Sequence, residues 1–196
     1  MLKKSDVLNI ISVGLKLFLI TAISAFTLAF MNSITEPIIK KNNEIKKSES
    51  MQTVLSAAKL FESEPIDKLA TVDLAANVSE IYAALNENNE KIGYAVMVSA
   101  NGYGGEISMV VGIDHEQKVS GIEFISHSET PGLGAKCTDE KFKVQYIGKS
   151  DGIKVSKKGA KGNEIDAISS ATITSNAVTN CVNVAITAVS IIEGVE

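Results

Sequence analysis

Apolar residues follow different periods in successive parts of the chain. Residues 7–31 (VLNIISVGLKLFLITAISAFTLAFM) carry a single charge, Lys16. About 20 apolar residues suffice to cross a bilayer as a helix, so this run predicts a membrane-spanning helix behind a short flank, residues 1–6. A cleaved leader would have a shorter apolar core and small residues at its cleavage site; Phe26, Phe30 and Met31 stand there instead. Lys16 lies in the first half of the span and can snorkel toward the N-terminal interface. Pro37 then interrupts, and Ile45, Met51, Val54, Leu55, Ala58 and Phe61 recur at helical spacing. They predict a second helix over 38–61, inside a linker spanning 32–65 that ESEPIDK closes.

From there the period shortens to that of strands. The runs 79–87, 91–100, 106–114 and 118–127 are strand-like, joined by the turn-forming NENNEK, NGYGG and DHEQK. Such short loops suit antiparallel neighbours. A short helix is predicted over 138–148, opened by Thr138. A longer one over 175–192 has Ala177, Val178, Cys181, Val182, Ala185, Val189 and Ile192 along one face. Strands in a block with helices at the ends predict an α+β domain over 66–196, carried on a membrane stalk.

Charge and composition narrow the function. The formal net charge is −4. Residues 1–31 contribute +2 (Lys3, Lys4 and Lys16 against Asp6), leaving −6 on the remainder, which excludes a nucleic-acid footprint. The mean hydropathy of +0.15 reflects the N-terminal run. The chain contains no arginine, so a phosphate must be held by lysine, hydroxyls, backbone N–H groups or a covalent bond. Cys137 and Cys181 are far apart and lack metal-ligand spacing; Cys181 fits a buried helix face. Lysines flank the span on both sides (Lys3 and Lys4 before it; Lys40, Lys41, Lys46 and Lys47 after it), so the positive-inside rule leaves the orientation open.

Three stretches carry candidate chemistry. In SHSETPGLGAK (126–136), Gly132 and Gly134 bracket Leu133 and allow a tight path that presents an apolar plate beside exposed N–H groups; a plain Pro/Gly loop explains it as well. In NGYGGEISMVVGID (101–114), the glycines around Tyr103 are those of a hairpin turn. No GxSxG elbow accompanies His127 and Glu129, His115 sits in a turn, and GAKGNE lacks P-loop spacing, which argues against a hydrolase or a nucleotidase. No catalytic residue or metal site is assigned. The third stretch, NEIDAISSATITSNAV (163–178), places Ser169, Ser170, Thr172, Thr174 and Ser175 before the last helix, where one N-cap hydroxyl, Thr174 or Ser175, would be enough.

DAISSATITS resembles the threonine-flavinylation motif, Asp-x-x-Ser/Thr-Gly-Ala-Thr-x-Thr/Ser, of FMN-binding domains in respiratory flavoproteins. HSETPGLG and GYGGEI…VGID resemble the two other signatures of those domains, in the same order. With the N-terminal span, the whole chain is similar to the G subunits of Rnf electron-transport complexes. The related C subunits of sodium-translocating NADH:quinone reductases rank second, and a non-redox, membrane-tethered binding module is the third reading. Ser170 departs from the pattern, since the family has glycine there.

The resemblance implies an FMN-binding domain with an antiparallel sheet and flanking helices. FMN would be joined to Thr172 by a phosphoester, installed by a flavin transferase using FAD and a divalent metal. Glu129, Thr130, Leu133, Gly134, Ser169, Ala171, Thr174 and Ser175 would surround the flavin, with the helix start near 175 facing its phosphate. Asp166 and Ser170 would belong to what the transferase recognises, Asp166 alternatively being a structural cap. The resemblance further implies electron relay within an ion-translocating ferredoxin:NAD oxidoreductase, beside other membrane and cytoplasmic subunits. The single span would anchor the chain in the cell membrane, with the domain on the extracytoplasmic side.

Overall fold

The computed structural model describes residues 4–69 and 76–194. Residues 1–3 of the expected cytoplasmic flank, and 70–75 and 195–196 of the expected domain, lie outside them. The chain divides into two compact units, Met1–Glu44 and Ile45–Glu196. The second unit therefore takes in residues 45–65, which the sequence pattern assigned to a linker.

The first unit is helical. Helix α1 (Lys4–Val54) runs through it and on into the second. It contains a stretch long and apolar enough to cross a membrane. The hydroxyls of Thr21, Thr27, Ser33 and Thr35 donate back to carbonyls three or four residues earlier, at 2.8–3.1 Å. That satisfies them within the helix itself. Pro37 lies inside α1 and does not end a first helix. Proline removes one rung and crowds the preceding turn, at a cost of ~3 kcal/mol. Its own φ is helical, so the residues after it continue the helix.

The second unit is α+β. Five antiparallel strands follow one another in spatial order: β1 (Leu60–Glu64), β2 (Asn77–Leu85), β3 (Lys91–Asn101), β4 (Glu106–Asp114) and β5 (Val119–His127). β2 to β5 match the alternating runs closely. The expected helix 38–61 stops at Val54, and Phe61 belongs instead to β1, where it pairs with Ala84. Side chains on the two faces of the sheet enter different cores, as the two-residue period requires. Ile81, Val96, Val98, Met109 and Val111 meet helix α3 (Thr172–Glu193), whose Val178, Val182, Ala185 and Val189 are fully buried. Ala84, Ala95, Met97 and Val110 meet the end of α1 through Met51, Val54 and Leu55.

The segment expected as one helix over 138–148 is three short pieces: a 3-10 turn (Gly134–Thr138), α2 (Glu140–Lys143) and a second 3-10 turn (Val144–Tyr146). Asp139, not Thr138, precedes α2, and it makes no side-chain cap. Phe142 and Tyr146 pin this stretch to the core, edge to face at 5.6 Å, and the Tyr146 hydroxyl shares a hydrogen bond with Thr179 Oγ1 at 2.9 Å. A two-stranded parallel ribbon, β6 (Lys154–Ser156) with β7 (Glu164–Asp166), leads into α3.

Val54 closes α1 over a slot in the sheet made by the paired Gly112 and Gly121. Ser120 Oγ donates to its carbonyl at 2.7 Å, satisfying one of the orphan carbonyls at the helix end. A Cβ on Gly112 would collide with Ser120 Oγ and approach Val54 Cβ to 2.9 Å. Gly112→Ala is therefore expected to destabilise the domain by about 1–3 kcal/mol, as overpacking does; a urea midpoint equal to wild type would contradict this. Cys137 and Cys181 are buried free thiols, and burial pushes them up to about 11 and about 12, the nearby Glu129 charge adding to the effect at Cys137. The native state keeps protons that unfolded thiols lose above a pKa of about 8.5. Their stabilising contribution is full below that pH and falls as pH rises toward 11–12, so the alkaline decline in the urea midpoint should be shallower in Cys181→Ala.

Candidate functional site

The site is built around Glu129, which follows β5 and is only 6% exposed. Its Oε1 accepts the backbone N–H groups of Tyr103 (2.7 Å) and Gly104 (3.1 Å), at the tip of the β3–β4 hairpin. Its Oε2 accepts the Thr174 hydroxyl at 2.9 Å, from the first turn of α3. Among the described residues no lysine is paired with it. Charge-assisted hydrogen bonds replace a counter-ion, the arrangement a buried carboxylate needs when no cation is at hand. Two glycines make room for this carboxylate: a Cβ on Gly102 would strike Oε1 and one on Gly134 would strike Oε2. The glycines that read as hairpin chemistry thus also admit a carboxylate.

These three segments enclose a cavity of about 440 Å³. Of the residues expected around a flavin, Glu129, Thr130, Leu133, Gly134, Ala171, Thr172 and Thr174 line it together, and Ser170 joins them. Tyr103 and Ile173 also line it, and neither was singled out in the sequence. The signal for Tyr103 was an aromatic held at a hairpin tip by three glycines. Ile173 falls off the apolar stripe of α3, so its side chain faces away from the core. Tyr103 (73% exposed), Ile173 (54%) and Leu133 (45%) give the cavity an apolar rim above a polar floor.

Two expected residues are placed elsewhere. Ser169 lines a second cleft together with Asp166, on the other side of the turn at Ser170. Ser175 is fully buried: its hydroxyl donates to the Ala171 carbonyl at 3.0 Å and accepts the Ile168 N–H at 2.9 Å. Neither Thr174 nor Ser175 caps the helix, because α3 begins at Thr172 and not near 175. Ala171 is its N-cap and supplies no side-chain acceptor. The first N–H groups of α3 are left without a cap beside the cavity, and the positive end of the helix dipole lies there. Thr172 is half-buried at this spot, and its hydroxyl enters none of the described hydrogen bonds. Asp166 behaves as a structural cap, its Oδ1 accepting the Ala160 N–H at 2.7 Å.

No base within the described site is free to activate Thr172. Glu129 is committed to Tyr103, Gly104 and Thr174, and His127 Nδ1 accepts the Glu129 N–H at 3.3 Å. The residues do fit a phosphorylated flat ring: an uncapped helix start and a hydroxyl for the phosphate, an apolar rim for the ring, and backbone close enough to need glycine.

Ser170 has φ +62°. This is the left-handed region, costing about 1–2 kcal/mol per non-glycine residue, and it explains why the related motif has glycine there. Ser170→Gly is expected to raise stability by about 0.5–1 kcal/mol once glycine's larger unfolded-state entropy is set against that relief. A thermal melt lower than wild type would show that the Ser170 side chain contributes something the geometry does not reveal.

A family model described as the FMN-binding domain matches residues 102–187, a span holding all three site segments. The G subunit of the Na(+)-translocating ferredoxin:NAD(+) oxidoreductase complex of Acetobacterium woodii is 36% identical over 188 residues, covering 90% of each chain. The G subunit of the proton-translocating ferredoxin:NAD(+) oxidoreductase complex of Clostridium ljungdahlii is 29% identical over 195 residues, covering 99% of each. Among solved structures, the C subunit of the Na(+)-translocating NADH-quinone reductase of Parabacteroides distasonis matches with a TM-score of 0.57 at 20% identity, covering 79% of this chain and 94% of that one. That likeness shows a shared fold.

Proposed function

The chain belongs to the family of G subunits of ion-translocating ferredoxin:NAD(+) oxidoreductase complexes, and from that premise we propose that it relays electrons within such a complex through FMN bonded covalently to Thr172. The observation that carries the proposal is the uncommitted hydroxyl of half-buried Thr172 at the uncapped start of α3, lining a cavity with an apolar rim. FMN, once attached, supplies the electron-transfer chemistry that no side chain here can.

The residues of the chain then hold and orient. Thr172 Oγ anchors the phosphate, and the N–H groups of the first turn of α3 balance its charge in a protein without arginine. Leu133, Ile173 and Tyr103 flank the apolar ring. Glu129 keeps the hairpin tip and Thr174 in register, so the walls of the cavity do not drift apart.

Attachment requires a partner, because no base in the site is available. Thr172 Oγ bonds to the riboflavin-side phosphorus of FAD, the pyrophosphate P–O bond breaks, AMP leaves, and the hydroxyl proton passes to a base of the flavin transferase. The N-terminal helix holds the chain in the lipid bilayer, and the domain works on the extracytoplasmic side. There a covalent tether prevents loss of the cofactor by diffusion. Other members of the complex donate and accept the electrons.

Intact mass and in-gel flavin fluorescence after denaturation test this directly, on full-length chain co-expressed with a flavin transferase. Wild type is expected to gain one FMN less water and to fluoresce in the gel, and Thr172→Ala to do neither. A fluorescent Thr172→Ala chain would move the attachment point. An unmodified wild type that stays bare even as Ser170→Gly would leave a membrane-tethered binding module in place of the electron carrier.

A further inference from the structure

The charge on Glu129 exceeds what its structural duty requires. The N–H groups of Tyr103 and Gly104 meet the carboxylate at Oε1, and the Thr174 hydroxyl meets it at Oε2. A glutamine of the same shape would make the same ties. Its amide oxygen would accept the two N–H groups and its amide nitrogen would donate to Thr174 Oγ1, since a hydroxyl accepts as well as donates. A neutral amide also costs less to bury than a carboxylate that pairs with no lysine among the described residues. The fold therefore explains an acceptor at position 129 and leaves its negative charge unexplained.

We propose that the Glu129 carboxylate sets the redox potential of the bound flavin, holding it low by opposing the negative charge that reduction places on the ring. The inference rests on the reading of the cavity as the site of FMN bonded to Thr172. Two electrons and one proton leave the reduced ring with one net negative charge, and a second proton removes it. Charge held beside the ring therefore shifts the equilibrium between its oxidised and reduced forms.

The surroundings leave this field without compensation. Glu129 is the one charged side chain among the described residues that line the cavity, and the chain has no arginine. The N–H groups of Tyr103 and Gly104 point to the carboxylate, so they are not open to the polar edge of the ring. Glu129 is only 6% exposed, where a charge is screened far less than at the surface. A neighbour outside the cavity already registers it: the buried Cys137 thiol is pushed up to about 11, by burial first and then by the Glu129 charge.

The test is the midpoint potential of the FMN-loaded, detergent-solubilised full-length chain, titrated with dithionite against a redox dye at neutral pH and read by flavin absorbance. Glu129→Gln removes the charge and keeps the ties; Thr174→Val keeps the charge and removes one of its donors. Glu129→Gln is expected to raise the midpoint, favouring reduction by about tenfold or more, which is about 30 mV for a two-electron couple. Thr174→Val leaves the carboxylate less shielded and is expected to lower it. A site that is merely loosened would shift both variants the same way, and that result overturns the inference. So does a Glu129→Gln midpoint at or below the wild-type value with flavin still bound to Thr172, an outcome that leaves the FMN reading intact. If Glu129→Gln takes up no flavin, Thr174→Val decides alone: a lowered midpoint upholds the role of the charge, and an equal or raised one overturns it. A wild-type chain that never acquires flavin overturns both readings.

Discussion

The architecture of the site depends on a buried carboxylate that pairs with no lysine among the described residues. Glu129 gathers two backbone N–H groups from the hairpin tip at 103–104 and one hydroxyl from the start of α3. These segments are far apart in sequence, and the carboxylate is what joins them. Each donor left without its acceptor would cost about 1–3 kcal/mol, and the carboxylate left without donors more. The three therefore form together or not at all. The glycines at 102 and 134 are a consequence: backbone must come within contact of the carboxyl oxygens, and a Cβ at either position would occupy their place.

With the walls held in this way, the chain between β7 and α3 tolerates an unfavourable turn. Ser170 sits in the left-handed region, flanked by the buried Ile168 and Ala171. The Ala171 N–H bonds back to the Ile168 carbonyl at 3.0 Å, while the Ile168 N–H is taken by Ser175 Oγ. These anchors on both sides of the turn hold it against its local preference. The hydroxyl-rich stretch therefore has several physical duties: Thr174 and Ser175 brace the interior, Thr172 is left open, and Ser169 faces the other way.

How much of this was legible in the sequence follows from the range of the interactions. β2 to β5 could be read because both periodicity and turn chemistry are local. β1 escaped because its LFESE sequence forms a mostly exposed edge strand, recognisable only through its pairing with β2. β6 and β7 are three residues each, too short for a period. The start of α3 was placed three residues late because hydroxyl residues suggested caps, whereas Thr174 and Ser175 satisfy groups elsewhere in the fold. The same long-range logic hid Tyr103 as a lining residue: its neighbourhood read as a turn, and only Glu129, reached across 26 residues, draws that turn into the site. Thr172 was singled out through the motif alone, and the fold brings it to the cavity lined by Glu129.

The order of elements along the chain also has a consequence in time. The five strands pair with their immediate neighbours in sequence, so the sheet can assemble as it leaves the ribosome, N-terminal part first. Helix α3 comes last and packs over β2, β3 and β4 on one face of that sheet. Thr172 opens this final helix, and the Thr174 hydroxyl that completes the shell of Glu129 arrives with it. A truncated or stalled chain thus lacks the cavity beside Glu129 altogether. A chain in which this cavity has formed has therefore been both synthesised and folded to its end.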